Sequence, residues 1–166
     1  MNALAPERAF VGVGANLGDP RAQVQRGIAA LHELPHTTVD ACSSLYASAP
    51  VDAPGPEYVN AVVLLHTTLP AADLLQRLHA IEAQQGRVRV AVNAPRTLDL
   101  DLLLYGAMRS SSDTLNLPHP RLHQRAFVLR PLLELAPQLE VEGLGPLSAW
   151  LERVREQPIR RLEVQG

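Results

Sequence analysis

The chain has 166 residues, 46% of them hydrophobic, and a formal charge of −2; this is the size of one domain, large enough to bury a core without metal or disulfide support. Cys42 is its one cysteine, which excludes an internal disulfide and any CxxC metal or redox motif. All 15 basic residues are arginine, which excludes a lysine-dependent phosphate loop and Schiff-base chemistry, and the slight negative charge argues against a surface that coats nucleic acid.

Residues 10–15 read as a strand that runs into Asn16, Leu17, Gly18 and Asp19. Asp19 is a good helix cap and Pro20 suits the first helical position. Val24, Ile28 and Leu31 then recur at helical spacing, and Pro35 stops the helix. Val39, Ala41, Ser43 and Leu45 alternate with more polar neighbours, which predicts a second strand. The Pro- and Gly-rich stretch 47–57 is too long for a tight turn and is expected to be a functional loop. A third strand is expected over 58–67. Pro70 opens a second helix with Leu74, Leu78 and Ile81 on one stripe, ended by Gly86. An arginine-bearing loop follows over 87–97, then a fourth strand over 98–105. The order β-α-β-β-α-β predicts an α+β, ferredoxin-like core, with 106–166 as a C-terminal α/β extension. Within that extension Pro118 and Pro120 stiffen a turn around His119. The apolar run 127–135 ends before Pro137, a helix is expected over 146–154 with Leu147, Trp150, Leu151 and Val154 inward, and a last strand closes the chain. No apolar run reaches the ~18 residues of a membrane span. Residues 1–8 lack the basic-then-apolar layout of a secretion signal, so a cytoplasmic location is expected, with no membrane or nucleic-acid partner.

The chemistry concentrates in Arg96-Thr97-Leu98-Asp99-Leu100-Asp101-Leu102. A strand sends alternate side chains to opposite faces, so Leu98, Leu100 and Leu102 face one way and Asp99 and Asp101 the other. Their Cα atoms should lie ~6.6 Å apart, two strand rises. Two carboxylates so placed repel unless a cation lies between them. Hard oxygen ligands suit magnesium, which also takes phosphate oxygens. By itself D-x-D more often marks the solvated face of an edge strand. Arg96 at the strand entrance, with Arg87 and Arg89 across the same loop, adds cations for phosphate oxygens that a metal leaves uncovered. His119, Arg121, His123 and Arg125 form a second candidate phosphate group. The chain has three Tyr and two Phe; Tyr58 and Phe127 suit either core packing or a stacking slot for a flat heterocycle, which Asn60, on the same strand face as Tyr58, could read with its amide. Gly12-Val13-Gly14 is too short for a dinucleotide fingerprint.

Four segments together resemble the hydroxymethyl-dihydropterin pyrophosphokinase family of folate synthesis. They are Gly14-Ala15-Asn16-Leu17-Gly18-Asp19; Tyr58-Val59-Asn60-Ala61; Gln85-Gly86-Arg87-Val88-Arg89 with Pro95-Arg96-Thr97-Leu98-Asp99-Leu100-Asp101; and Pro118-His119-Pro120-Arg121 with Arg125-Ala126-Phe127-Val128-Leu129. The resemblance implies one pyrophosphokinase domain over 1–166 that moves a pyrophosphoryl group from ATP to the pterin hydroxyl and releases AMP. It implies Asp99 and Asp101 as ligands of two magnesium ions, acting with Arg87 and Arg96 as the catalytic set. It places Glu82, Arg87, Arg89, Arg96, Asn116, His119 and Arg125 at or around the nucleotide. Ser48, Ala49, Val51, Tyr58, Asn60 and Phe127 fall at the pterin slot. A monomer is expected. The segment Val90-Ala91-Val92-Asn93-Ala94 departs from the family pattern, which there carries an arginine, a tryptophan and a glycine in a loop that closes over the pterin. Two other readings stand beside this one: a member of the family that binds pterin or nucleotide without efficient turnover, and an RNA-recognition module. The scarcity of aromatics on the third strand argues against the latter.

Overall fold

The computed structural model describes residues 5–49, 56–85 and 98–163. Strand β1 (Glu7–Ala15) leads into helix α1 (Pro20–Leu31), then β2 (Thr37–Cys42), β3 (Tyr46–Ser48), β4 (Tyr58–Thr67), α2 (Ala71–Gln84) and β5 (Asp99–Tyr105). The start of α1 is encoded as expected. The Asp19 carboxylate accepts from Ala22 N at 3.1 Å, and Pro20 occupies the first turn, where no amide hydrogen is needed.

The sheet runs β10–β3–β4–β1–β5, with β10 (Ile159–Arg161) on the far edge and β2 also paired to β4. Every pairing is antiparallel. Taking β2 and β3 as two lengths of one run, the spatial order of the core strands is fourth, first, third, second, the ferredoxin-like arrangement that the element order predicts.

The second strand is not continuous, and the loop expected from residue 47 begins later, because Ala47 and Ser48 belong to β3. The break lies at Ser43. Its N–H still donates to Val62 O, but its hydroxyl, not its carbonyl, accepts from Val62 N, both at 2.9 Å. A side chain thus replaces one rung of the ladder, and the run restarts at Tyr46 opposite Asn60. The second helix ends at Gln84; Gly86, expected to end it, lies outside the described residues.

Two apolar layers hold the sheet. On one face Val11, Val13, Val63, Leu65, Leu98, Leu100 and Leu102 pack with Val24 and Leu31 of α1 and Leu74 and Leu78 of α2. On the other, Phe10, Val62, Leu64, Leu103 and Leu104 pack with α3 (Ala126–Leu135) and with Leu122, Leu147 and Val154. β4 is central and covered on both faces, so its burial is almost unbroken. The register of β1 against β5 shifts between Phe10 and Val11, leaving Leu103 as the extra residue. Leu103 and Leu104 therefore both join the second layer, and strict alternation ends at Leu102.

The extension contains more small elements than the sequence suggests: a hairpin of β6 (Ser110–Ser111) and β7 (Asn116–Leu117), and another of β8 (Glu140–Val141) and β9 (Gly145–Pro146). The helix expected over 146–154 is a 3-10 turn, Leu147–Trp150, followed by one turn of α4 (Leu151–Val154). Leu147 and Val154 are buried; Trp150 and Leu151 are only partly so. No described helix is long and apolar enough to cross a membrane.

Candidate active site

The second layer covers only part of its face. Past Phe10, Leu64 and Leu103 the sheet is open, and a cavity of about 530 Å³ lies over Gly12 and Gly14 of β1. Tyr58 and Asn60 reach it from β4, Asp99 and Asp101 from β5, and Phe127 with Arg121, Gln124 and Arg125 from the chain around the start of α3.

The floor follows from strand register. Gly14 pairs with Asn60 on one side and Asp99 on the other, and Gly12 pairs with Asp101. Even-numbered β1 residues point to this face, so two residues without side chains keep the floor flat between the functional groups. A Cβ added at Gly14 would lie 2.8 Å from the Asn60 side-chain oxygen. The Gly-Val-Gly triplet thus belongs to the site as strand, through close approach and not as a phosphate loop.

Asn60 is only 5% exposed. Its Nδ2 donates to Ser48 Oγ at 2.9 Å, which fixes the amide plane and leaves the carbonyl oxygen and one N–H for a ligand. Ser48 is therefore present as a brace behind Asn60, and Ala49 lines the wall beside it. The Arg125 guanidinium lies 5.4 Å from the centroid of the Phe127 ring, so an aromatic face and a cation occupy one wall together.

Asp99 is partly buried and Asp101 exposed, both toward the cavity. Among the described residues no three His, Cys, Asp or Glu side chains cluster as a preformed metal cage. Two carboxylates beside open space nevertheless suit magnesium, which commonly takes one or two carboxylates and completes its shell with phosphate oxygens and water.

His119 stands beside the cavity wall. Its main-chain N–H donates to Leu103 O at 2.9 Å, and its ring Nδ1 accepts from Arg121 N at 3.1 Å. Burial pushes the imidazole down from its usual 6.5; the Asp101 carboxylate pulls it up, and the Arg125 and Arg121 guanidiniums push it further down. At neutral pH the ring is uncharged, and with Nδ1 accepting, its proton is on Nε2. His123 turns elsewhere, edge-on to Trp150 at 4.6 Å between centroids.

Besides His119, two more residues expected at the nucleotide, Glu82 and Asn116, lie off the cavity lining. Glu82 is 3% exposed and one of its oxygens accepts from Leu100 N at 2.8 Å, satisfying a backbone donor of the edge strand that carries both Asp. Asn116 is exposed on β7. Val51, Arg87, Arg89, Arg96 and the 90–94 segment lie outside the described residues. Sequence reasoning missed Gln124 and Gln157, which line the cavity, and the two floor glycines. Nothing local marks the glutamines, because their role depends on contacts between segments distant in sequence.

Comparison with known proteins gives consistent results. The sequence model of the family described as 7,8-dihydro-6-hydroxymethylpterin-pyrophosphokinase (HPPK) matches residues 10–137. A Pseudomonas aeruginosa protein named 2-amino-4-hydroxy-6-hydroxymethyldihydropteridine pyrophosphokinase is 46% identical over 157 residues, covering 94% of this chain and 97% of its own. A Haemophilus influenzae protein of the same name is 41% identical over 132 residues, covering 79% of this chain and 82% of its own. Among solved structures, a Plasmodium falciparum HPPK-DHPS crystallised with pteroate superposes with a TM-score of 0.72 at 11% identity. That match covers 99% of this chain and 48% of the solved chain, and at this identity it shows the fold alone.

Proposed function

Since the chain belongs to the 7,8-dihydro-6-hydroxymethylpterin-pyrophosphokinase family, we propose that it transfers the pyrophosphoryl group of ATP to the hydroxyl of 6-hydroxymethyl-7,8-dihydropterin in folate biosynthesis. One observation carries the reading: a single cavity joins an aromatic and amide slot, Tyr58, Asn60 and Phe127, to a carboxylate pair, Asp99 and Asp101, with Arg121 and Arg125 beside them.

In this reading the pterin ring lies between Tyr58 and Phe127 and is read by the Asn60 amide, whose plane Ser48 holds. The pterin hydroxyl oxygen bonds to the β-phosphorus of ATP, the bond from that phosphorus to the α,β-bridging oxygen breaks, AMP leaves with the electron pair, and the hydroxyl proton is released. Asp99 and Asp101 would hold magnesium, two ions with ATP, which supplies neutralising charge to the phosphate oxygens. Arg121 and Arg125 offer further positive charge from the same cavity. His119 is not the proton acceptor, because Nδ1 is engaged and Nε2 carries a hydrogen; it is a donor. The acceptor is then Asp99 or solvent. Most of the rate gain on this reading comes from alignment and charge.

Family resemblance assigns Arg87, Arg89 and Arg96 to the nucleotide and Val51 to the pterin, and Glu82 braces the strand that carries the metal ligands. Asn116 is assigned to the nucleotide on family resemblance alone. The chain acts as one domain and a monomer in the cytoplasm. A family member that binds without turnover has no observation in its favour, since both carboxylates reach the cavity.

The experiment is AMP release from ATP, measured with and without hydroxymethyl-dihydropterin and with and without magnesium. AMP is expected only when both are present. Release that ignores the pterin, or that survives chelation of divalent metal, overturns the proposal. Light scattering during size exclusion tests the monomer.

A further inference from the structure

We propose that Gln157 is a positioning residue that aims Arg125 and Phe127 at the cavity, by acting as the missing cap of α3. The inference rests on the reading of the cavity as the pterin site.

A helix begins with amide hydrogens that have no partner inside the helix, and a side chain just before it normally accepts one of them. At α3 that place is held by Arg125, which makes no capping bond. The acceptor comes instead from far along the chain: Gln157 Oε1 takes the Ala126 N–H at 2.9 Å. The same amide turns its Nε2 to donate to Gln124 O at 3.0 Å. One planar group therefore holds the backbone on both sides of Arg125. Arg125 packs on the ring of Phe127, so the pair moves as a unit with the segment that Gln157 grips.

The grip is itself anchored. Gln157 N donates to Val154 O at 3.0 Å, just past α4. Two residues later Ile159 pairs with Ser48, the residue whose hydroxyl takes the Asn60 amide. The short run from Gln157 to Ile159 thus reaches both walls of the cavity, the Phe127 wall through a side chain and the Asn60 wall through backbone. A glutamine suits this task because it is both donor and acceptor. Glutamate would keep the bond from Ala126 N–H and lose the donation to Gln124 O; leucine would keep the bulk and lose both.

The chain has two phenylalanines, so protein grown with 4-fluorophenylalanine gives two fluorine resonances: Phe10, buried in the second layer, serves as the internal control for Phe127. For Gln157→Leu the Phe127 resonance is expected to shift or broaden while that of Phe10 stays. The KM for the pterin should rise about tenfold, in line with two lost hydrogen bonds, with a smaller change in kcat. Gln157→Glu should restore part of the pterin KM, and it carries the test if the leucine variant does not fold. Unmoved Phe127 fluorine in a folded variant, or a pterin KM that does not rise, would overturn the role. So would parallel shifts of both resonances with a general loss of stability. If the unaltered protein shows no pterin-dependent turnover, the functional reading fails on its own, and the fluorine comparison still decides whether Gln157 sets the Phe127 wall.

Discussion

Asp99 and Asp101 face the cavity, and among the described residues no third carboxylate or histidine joins them to complete a cage. Affinity for a divalent ion should then depend on the triphosphate that shares it. Asp99→Asn removes a charge and keeps the shape. Magnesium-dependent turnover is expected to fall by about 10²–10³-fold, the scale of losing one charge-stabilising group, with the melting temperature nearly unchanged; steady-state AMP release against magnesium concentration reads this. Gly14 makes a different demand, for space. Gly14→Ala would set a methyl 2.8 Å from the Asn60 oxygen, and Asn60 can yield only by straining its bond to Ser48. Pterin binding, followed by titration of the pterin's own fluorescence, should weaken by roughly tenfold or more, about 1.4 kcal/mol, while nucleotide binding in its absence stays close to normal.

The elements that carry the site depend on close packing behind it. Gly27 of α1 lies directly over the sheet, where an added Cβ would meet Leu98 Cδ1 at 3.0 Å and Val13 Cγ1 at 3.3 Å. Leu98 is buried immediately before β5, so the helix presses on the root of the strand that bears both Asp. Overpacking of this kind costs about 1–3 kcal/mol. Gly27→Ala should therefore lower the unfolding free energy from urea titration by that amount, despite the better helix propensity of alanine, and an equal or higher value would mean that α1 is free to lift. At the opposite side of the sheet Glu134 of α3 accepts from Ser44 N at 2.9 Å and from the Tyr46 hydroxyl at 2.6 Å, pinning the restarted strand β3 to α3.

For the whole molecule, that last contact sets an alkaline limit. Burial, then the hydrogen bond and charge of Glu134, raise the Tyr46 phenol from 10 to about 12, against opposing pulls from Arg161 and Arg130. An acid whose folded value lies above its unfolded one stabilises the fold in its neutral form. The contribution is complete below pH 10 and is lost as pH climbs through about 12. Unfolding free energy should decline across that window, and Tyr46→Phe should flatten part of the decline; Tyr105, raised in the same direction chiefly by burial, accounts for a further part. Much of this architecture was legible in the sequence because it is written locally. Alternation separates Leu98, Leu100 and Leu102 from the two Asp, helical spacing marks α1 and α2, and Asp19-Pro20 opens the first. The rest is tertiary. Ser43 breaks a strand only because its hydroxyl happens to face Val62 N–H. Gln157 becomes a cap only once the end of the chain folds back on α3. The two floor glycines acquire meaning only from their neighbours on adjacent strands.

Those neighbours have one more implication. Asn60, Gly14 and Asp99 stand in a row across three consecutive strands. The lateral gap between the backbones of Asn60 and Asp99 is therefore two interstrand spacings, about 9.5 Å. Main-chain hydrogen bonds set that interval, so no exchange of side chains can stretch it. On the proposed function, this backbone interval acts as a ruler between the ring slot and the carboxylate pair. A substrate homologue with one extra methylene in its tether is then expected to bind by its ring and yet turn over more slowly.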